Sequence, residues 1–317
     1  MADHLDEGAQ CILDIGKMAK ARPFEARIPS EARMDYNAAI PALQGSREAV
    51  ASVEDRQISG PNGPITVRIY RGIGAPSKNG PGLLYLHGGG WVIGNLDSHD
   101  EICRWFANLA ECTVVCPDYR LAPEHKFPAR LMECAAALAF MAETVTELGV
   151  DPKRLAVAGD SAGGNLAAVL ALMSRSGDVP HIAAQLLLYP NTDARQTAES
   201  YRRYGEGFGL TAATMKWFRD HYIRTIADVV DWKVSPLLAE TVAAAAPAFI
   251  ATAGHDILVD EGMAYATRLQ EAGVRVVARH WPDQIHGFVS MGRFIPAARP
   301  AVEEAVAAWW NFERNPD

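Results

Sequence analysis

Short apolar runs closed by turn residues alternate with longer stretches that place small and apolar residues at helical spacing. Residues 51–54 and 65–71 read as the first strands, separated by the turn-rich segment 60–63. Further strands are expected at 82–86, 113–116, 155–158, 183–189, 247–253 and 274–280. Their ends fall at His87, Pro117, Gly159, Pro190, Gly254 and Pro282. Helices are expected from Asp97 or Ser98 to about Glu111, from Pro128 to about Leu148, and over 162–174, 260–272 and 300–312. Strands alternating with helices predict an α/β fold with a mostly parallel sheet covered on both faces.

Two segments break this rhythm. Residues 1–45 read as two helices before any strand, the second starting near 30–32. Residues 191–238 are too long for an ordinary crossover and carry Tyr201, Tyr204, Phe208, Trp217, Phe218, Tyr222 and Trp232. Together they are expected to cap one edge of the sheet, with 46–317 as the catalytic domain around them. Extra core helices are the alternative. No internal repeat or low-complexity linker appears.

Composition narrows the classes. The 317 residues are 49% hydrophobic and 21% charged, so a disordered, collagen-like or coiled-coil chain is excluded. Thirty Lys and Arg stand against 38 Asp and Glu, and no dense basic block exists to neutralise nucleic-acid phosphates. The first ten residues lack the basic-then-apolar order of a secretory signal. No uninterrupted apolar stretch is long enough to span a bilayer, so no stable membrane insertion is expected. Cys11, Cys103, Cys112, Cys116 and Cys134 form an odd set without zinc spacing. They read as small core residues of a cytoplasmic protein.

Candidate chemistry begins at Gly159-Asp160-Ser161-Ala162-Gly163-Gly164, between an expected strand and an expected helix. A nucleophilic serine needs its hydroxyl lifted clear at such a strand-to-helix turn, and glycines two residues either side remove a clash. The run His87-Gly88-Gly89-Gly90-Trp91 follows another strand. Its bare N–H groups suit an oxyanion, and Gly88, Gly89 and Ala162 are the expected donors. It lacks both the P-loop ending and the dinucleotide-binding spacing. His87 is expected to hold the loop rather than react.

A serine nucleophile needs a base and an orienting carboxylate, in the order serine, acid, histidine for this topology. Of nine histidines, His286 lies just beyond the last strand and before Gly287, whereas His280 lies within that strand. Asp256 follows the strand 247–253 and is the expected acid. Asp260 and Glu261 lie at a helix start, where a capping role is expected. Activity should rise with pH as the imidazole loses its proton.

These motifs resemble the hormone-sensitive lipase-like α/β-hydrolases, the bacterial family IV esterases. The resemblance rests on HGGGWVIGNLDSHD (87–100), DYRLAPEHKFPA (118–129), GDSAGG (159–164), DILVDE (256–261) and IHGF (285–288). It covers roughly residues 50–317. It implies an α/β-hydrolase fold with a mostly parallel eight-stranded sheet, flanking helices and a helical cap. It implies Ser161, Asp256 and His286 as a triad and the GDSAG subgroup. It also implies hydrolysis of short- to medium-chain carboxylic esters, with no cofactor and no metal. Asp118, Tyr119 and Arg120 are expected to brace a loop near the site. Trp91, Tyr189 and Phe208 are the expected substrate-binding residues. The chain departs from the family in having Ile257 after the acid and Trp91 after the glycines. Trp91 is expected to narrow the pocket entrance.

Alternatives remain open from the sequence. An amidase, formamidase or lactonase would use the same triad. A non-catalytic receptor could share the scaffold, although family receptors lack the histidine present here. A metal site on His280, Asp283 and His286 is interrupted by Pro282. The expected partner is a small-molecule ester, with a homodimer through the edge strand 274–280.

Overall fold

In the computed structural model, residues 4–315 are described. The outermost residues of the expected boundaries, 1–3 and 316–317, lie outside them. Eight strands form one sheet: β1 (Ser52–Ile58), β2 (Ile65–Arg71), β3 (Gly80–Leu86), β4 (Thr113–Pro117), β5 (Val150–Asp160), β6 (Ala184–Leu188), β7 (Ala248–His255) and β8 (Val276–Ile285). Their order is β1-β2-β4-β3-β5-β6-β7-β8. β1 and β2 form an antiparallel pair, β2 meets β4 antiparallel, and all later pairings are parallel. This is the α/β-hydrolase fold.

The helices are α1 (Glu7–Met18), α2 (Pro29–Leu43), α3 (Asp100–Leu109), α4 (Ala129–Glu143), α5 (Val145–Leu148), α6 (Ala162–Ser176), α7 (Glu199–Arg203), α8 (Ala212–Tyr222), α9 (Val259–Glu271) and α10 (Ala298–Arg314). β3, β4 and β6 are buried throughout, which explains their unbroken apolar runs. Successive side chains of β3 serve opposite cores. Leu84 and Leu86 join a cluster with Leu138, Leu166 and Leu170 on one face; Leu83 and Tyr85 join Phe106, Val302 and Trp309 on the other.

Several element boundaries differ from expectation, and β5 runs from Val150 through Gly159 to Asp160 rather than over 155–158 alone. The last strand does not end at Pro282 but continues to Ile285. β8 is an edge strand, and its register with β7 shifts between Ala253 and His255, opposite Pro282. A residue without an N–H is tolerated at such a bulge. The helix expected from Pro128 to Leu148 is two helices, broken at Thr144, whose Oγ1 bonds back to Phe140 O at 2.6 Å. Residues 97–99 form a separate 3-10 turn before α3. Ser98 and Asn95 hold that turn by reciprocal side-chain to backbone bonds of 2.9 Å.

The two irregular segments meet each other. Ala32 of α2 shares a cluster with Tyr201, Met215 and Phe218 from the 191–238 segment. Val92, Ile93, Ala122, Ile257 and Leu258 complete that cluster. Phe24 packs against Phe218 at 5.7 Å, and Thr214 Oγ1 donates to Glu25 at 2.7 Å. Among the described residues, no helix is long and apolar enough to cross a membrane.

Candidate active site

β5 delivers Ser161 at a sharp turn into α6, with φ +54° and ψ −118°. That conformation is costly for a residue with a side chain and needs close support. The support comes from glycines. A Cβ on Gly159 would stand 2.4 Å from Gly163 C, and one on Gly163 would stand 1.9 Å from Leu86 O. Ser161 N donates to Leu188 O at 2.9 Å, anchoring the turn to β6.

Ser161 Oγ lies 2.9 Å from His286 Nε2, and His286 Nδ1 lies 2.7 Å from Asp256 Oδ2. Three strand ends, those of β5, β7 and β8, therefore converge. Asp256 is 1% exposed, and its other oxygen accepts from Leu258 N at 2.9 Å. With Nδ1–H given to the carboxylate, the Nε2 lone pair faces the serine. Gly287, at φ +80°, turns the chain immediately after the imidazole. The Tyr189 ring meets His286 edge-on at 5.0 Å.

The glycine loop requires one correction. Gly88 was an expected oxyanion donor, but its N–H already donates to Asp160 Oδ1 at 2.9 Å. The N–H groups of Gly89, Gly90 and Ala162 meet no acceptor among the described residues. Gly89 and Gly90 have φ of +116° and +57°. A Cβ on Gly89 would lie 2.3 Å from Ile93 O, and one on Gly90 would enter the Phe218 ring. The open donors are thus shifted one residue along the run. The aspartate in GDSAGG was the sequence signal that one glycine had a different partner.

Asp160 anchors a buried network. Besides Gly88, its Oδ1 accepts from Tyr85 Oη at 2.8 Å and lies 3.1 Å from His99 Nε2. Burial alone would raise its carboxyl, but His99, Tyr85 and His87 together hold it below the usual range. His87 stacks on Tyr119 at 4.2 Å, and Tyr119 Oη donates to His87 O at 2.5 Å. Burial, reinforced by His99, pushes the His87 imidazole down to about 3. His87 is therefore neutral scaffold. Arg120 N donates to buried Glu133 at 2.8 Å, and the Arg120 guanidinium pairs with the same carboxylate.

The acids after Asp256 do not cap their helix, contrary to expectation. Glu261 is buried, and its Oε1 accepts from Asn191 Nδ2 at 2.7 Å and Thr192 N at 2.8 Å. Asp260 accepts from Ser200 N at 2.7 Å. The chain after β6 supplies the donors that these two acids use. Asn191 N also donates to Ser161 O, so this loop touches both the acid helix and the nucleophile turn.

Of the three expected substrate-binding residues, Tyr189 reaches the triad. Trp91 does not narrow an entrance; it is buried and stacks on Tyr222 at 4.3 Å. The positive φ at Gly90 and Trp91 turns the indole inward. Phe208 lies 5.1 Å from the ring of His255, the residue before Asp256. It lines a cavity of about 1000 Å³ beside α1. His280 Nδ1 meets Thr252 Oγ1 at 2.9 Å. Among the described residues, no group of three or more His, Cys, Asp or Glu is arranged to hold a metal ion.

Comparison with known proteins gives a consistent set. A family model described as the alpha/beta hydrolase fold matches residues 83–290. An ethyl acetate hydrolase of Pseudomonas putida is 36% identical over 94% of this chain and 95% of its own. A carboxylic ester hydrolase of Mycobacterium tuberculosis is 40% identical over 87% of this chain and 74% of its own. An ester hydrolase from the Lake Arreo metagenome, solved with a bipyridine phosphonate derivative, superposes with a TM-score of 0.93. It is 38% identical and covers 98% of this chain and 100% of its own.

Proposed function

The chain belongs to the α/β-hydrolase family of esterases and is a carboxylic-ester hydrolase; we propose that it acts through an acyl-enzyme formed on Ser161. The observation that carries this reading is the relay from Ser161 Oγ through His286 to Asp256, at 2.9 and 2.7 Å. Ser161 gives its proton to His286 Nε2 as Oγ bonds to the ester carbonyl carbon. Asp256 holds the imidazole tautomer and stabilises the imidazolium. The carbonyl oxygen gains negative charge, and the N–H groups of Gly89, Gly90 and Ala162 are the donors that meet it.

Collapse of the tetrahedral intermediate breaks the bond to the alcohol oxygen, which takes the proton back from His286. A water then gives a proton to His286 and attacks the acyl carbon. The second collapse releases the acid and restores Ser161. Nothing in this sequence calls on a cofactor or metal.

Short to medium acyl chains are the proposed substrates, in keeping with the hormone-sensitive lipase-like resemblance and with a relative named for ethyl acetate. Asp160 ahead of the nucleophile supports the GDSAG subgroup. The shared cluster of α2, α7 and α8 supports a cap built from 1–45 and 191–238. The open edge of β8 supports a homodimer, and the four buried cysteines fit a reducing cytoplasm. A fluorophosphonate probe tests the mechanism directly. Mass spectrometry should find the adduct on the peptide containing Ser161, and label on another residue would refute it.

A further inference from the structure

Helix α8, from the 191–238 segment, lies directly on the glycine loop. Phe218 and Tyr222 stand four residues apart on α8, so both rings leave the same face of the helix. The Phe218 ring covers Gly90: a Cβ there would stand 2.2 Å from Cγ and 2.4 Å from both Cδ atoms. One turn later the Tyr222 ring stacks on Trp91 at 4.3 Å, with 10° between the planes. Two neighbouring residues of the loop are thus held by two side chains of one helix. Both rings are buried.

The loop needs such support. Gly89, Gly90 and Trp91 have φ of +116°, +57° and +63° in succession. Glycine adopts the left-handed region freely, but a tryptophan stays there only where its surroundings hold it. The stack on Tyr222 keeps the indole in place, and Gly90, one residue back, carries one of the N–H groups that meet no acceptor. Tyr222 is itself fixed by the chain around the start of α4. Its carbonyl accepts from Phe127 N at 2.9 Å, and Lys126 Nζ donates to the next carbonyl, that of Ile223, at 2.7 Å. The fully buried Arg130 guanidinium lies 4.6 Å from the centre of the Tyr222 ring and donates to His125 O at 2.7 Å.

We propose that Phe218 and Tyr222 are positioning residues of the oxyanion hole, holding the Gly90 N–H where the ester carbonyl oxygen gains charge. They act through the loop backbone and take no part in proton transfer. The proposal rests on the acyl-enzyme reading of the same site, with Gly89 and Gly90 as donors. It gives α8 a share in the chemical step itself.

Both tetrahedral intermediates use the same hole, so a misplaced Gly90 N–H slows acylation and deacylation together: kcat falls and KM stays. A ketone, 1,1,1-trifluorooctan-2-one, takes Ser161 Oγ at its carbonyl carbon while His286 takes the proton. Its Ki therefore reads the oxyanion hole without a leaving group. Rates on p-nitrophenyl butanoate are expressed per active site titrated with a fluorophosphonate, which corrects for any loss of folded enzyme. Tyr222→Leu should lower kcat about ten- to hundredfold, less than the loss of a whole donor, raise Ki by a similar factor and leave KM within about twofold. Phe218→Leu, a smaller change, should move kcat and Ki in the same direction. Tyr222→Phe keeps the stack and should match the natural enzyme within about twofold in all three quantities. Unchanged kcat and Ki in both leucine variants would overturn the proposal. So would a fall in kcat without a rise in Ki, or a loss in Tyr222→Phe equal to that in Tyr222→Leu. If Tyr222→Leu does not fold, Phe218→Leu decides by the same readings. Failure of the ketone to inhibit the natural enzyme would overturn the acyl-enzyme reading and this proposal with it.

Discussion

Gly88 gives its amide proton to Asp160 Oδ1 at 2.9 Å, joining the glycine loop to the residue before the nucleophile. Two segments some seventy positions apart in the chain are thereby held in one orientation. The bond also occupies the Gly88 amide, whereas those of Gly89 and Gly90 meet no acceptor among the described residues. Asp160 is a strut, and its carboxylate works because Tyr85 and His99 share it.

Replacing Asp160 by Ala removes the buried acceptor of the Tyr85 hydroxyl and leaves the Gly88 N–H only its longer contact of 3.2 Å to His99 Nε2. A loss of about 3–5 kcal/mol is expected, the cost of breaking a buried pair from one side. Asp160→Asn keeps one acceptor oxygen and should lose less than about 2 kcal/mol. Urea unfolding of both variants checks this, and equal losses would count against the strut.

Asp256→Asn should fold normally but turn over about 10⁴-fold more slowly. An amide in place of the carboxylate no longer fixes the Nδ1–H tautomer, so Nε2 ceases to be a ready acceptor for the Ser161 proton. Steady-state kinetics on any good ester measures the effect. A loss below about tenfold would remove Asp256 from its proposed role.

The buried His87 imidazole makes stability pH-dependent. Its folded value near 3 lies below the ordinary 6.5, so between these limits the unfolded chain binds a proton that the folded chain does not. Its contribution is fully present above about pH 6.5. It falls by about 1.4 kcal/mol per pH unit as acid is added, until about pH 3. In urea unfolding between about pH 4.5 and 5.5, His87→Gln should show a slope shallower by about one proton. An unchanged slope would show that His87 is not held neutral.

Much of this fold was readable because β3, β4 and β6 are buried on both faces and closed by breakers. Ser161, Asp256 and His286 each follow a strand directly, so strand ends and chain order are enough to single them out as the expected triad. What escaped the sequence depended on partners distant in the chain. The occupancy of the Gly88 N–H is decided by Asp160, 72 positions away. The direction of Trp91 is set by Tyr222, and the fate of Glu261 by donors after β6. The run of β8 through Pro282 needed an edge position and a register shift that no local pattern reports.

The most direct test is hydrolysis of p-nitrophenyl esters from C2 to C16 by the natural enzyme beside Ser161→Ala. The expected result is turnover greatest at short or medium chains, with the variant folded and slower by several orders of magnitude. Comparable turnover in the variant, or none by the folded natural enzyme at any chain length, would contradict the acyl-enzyme account.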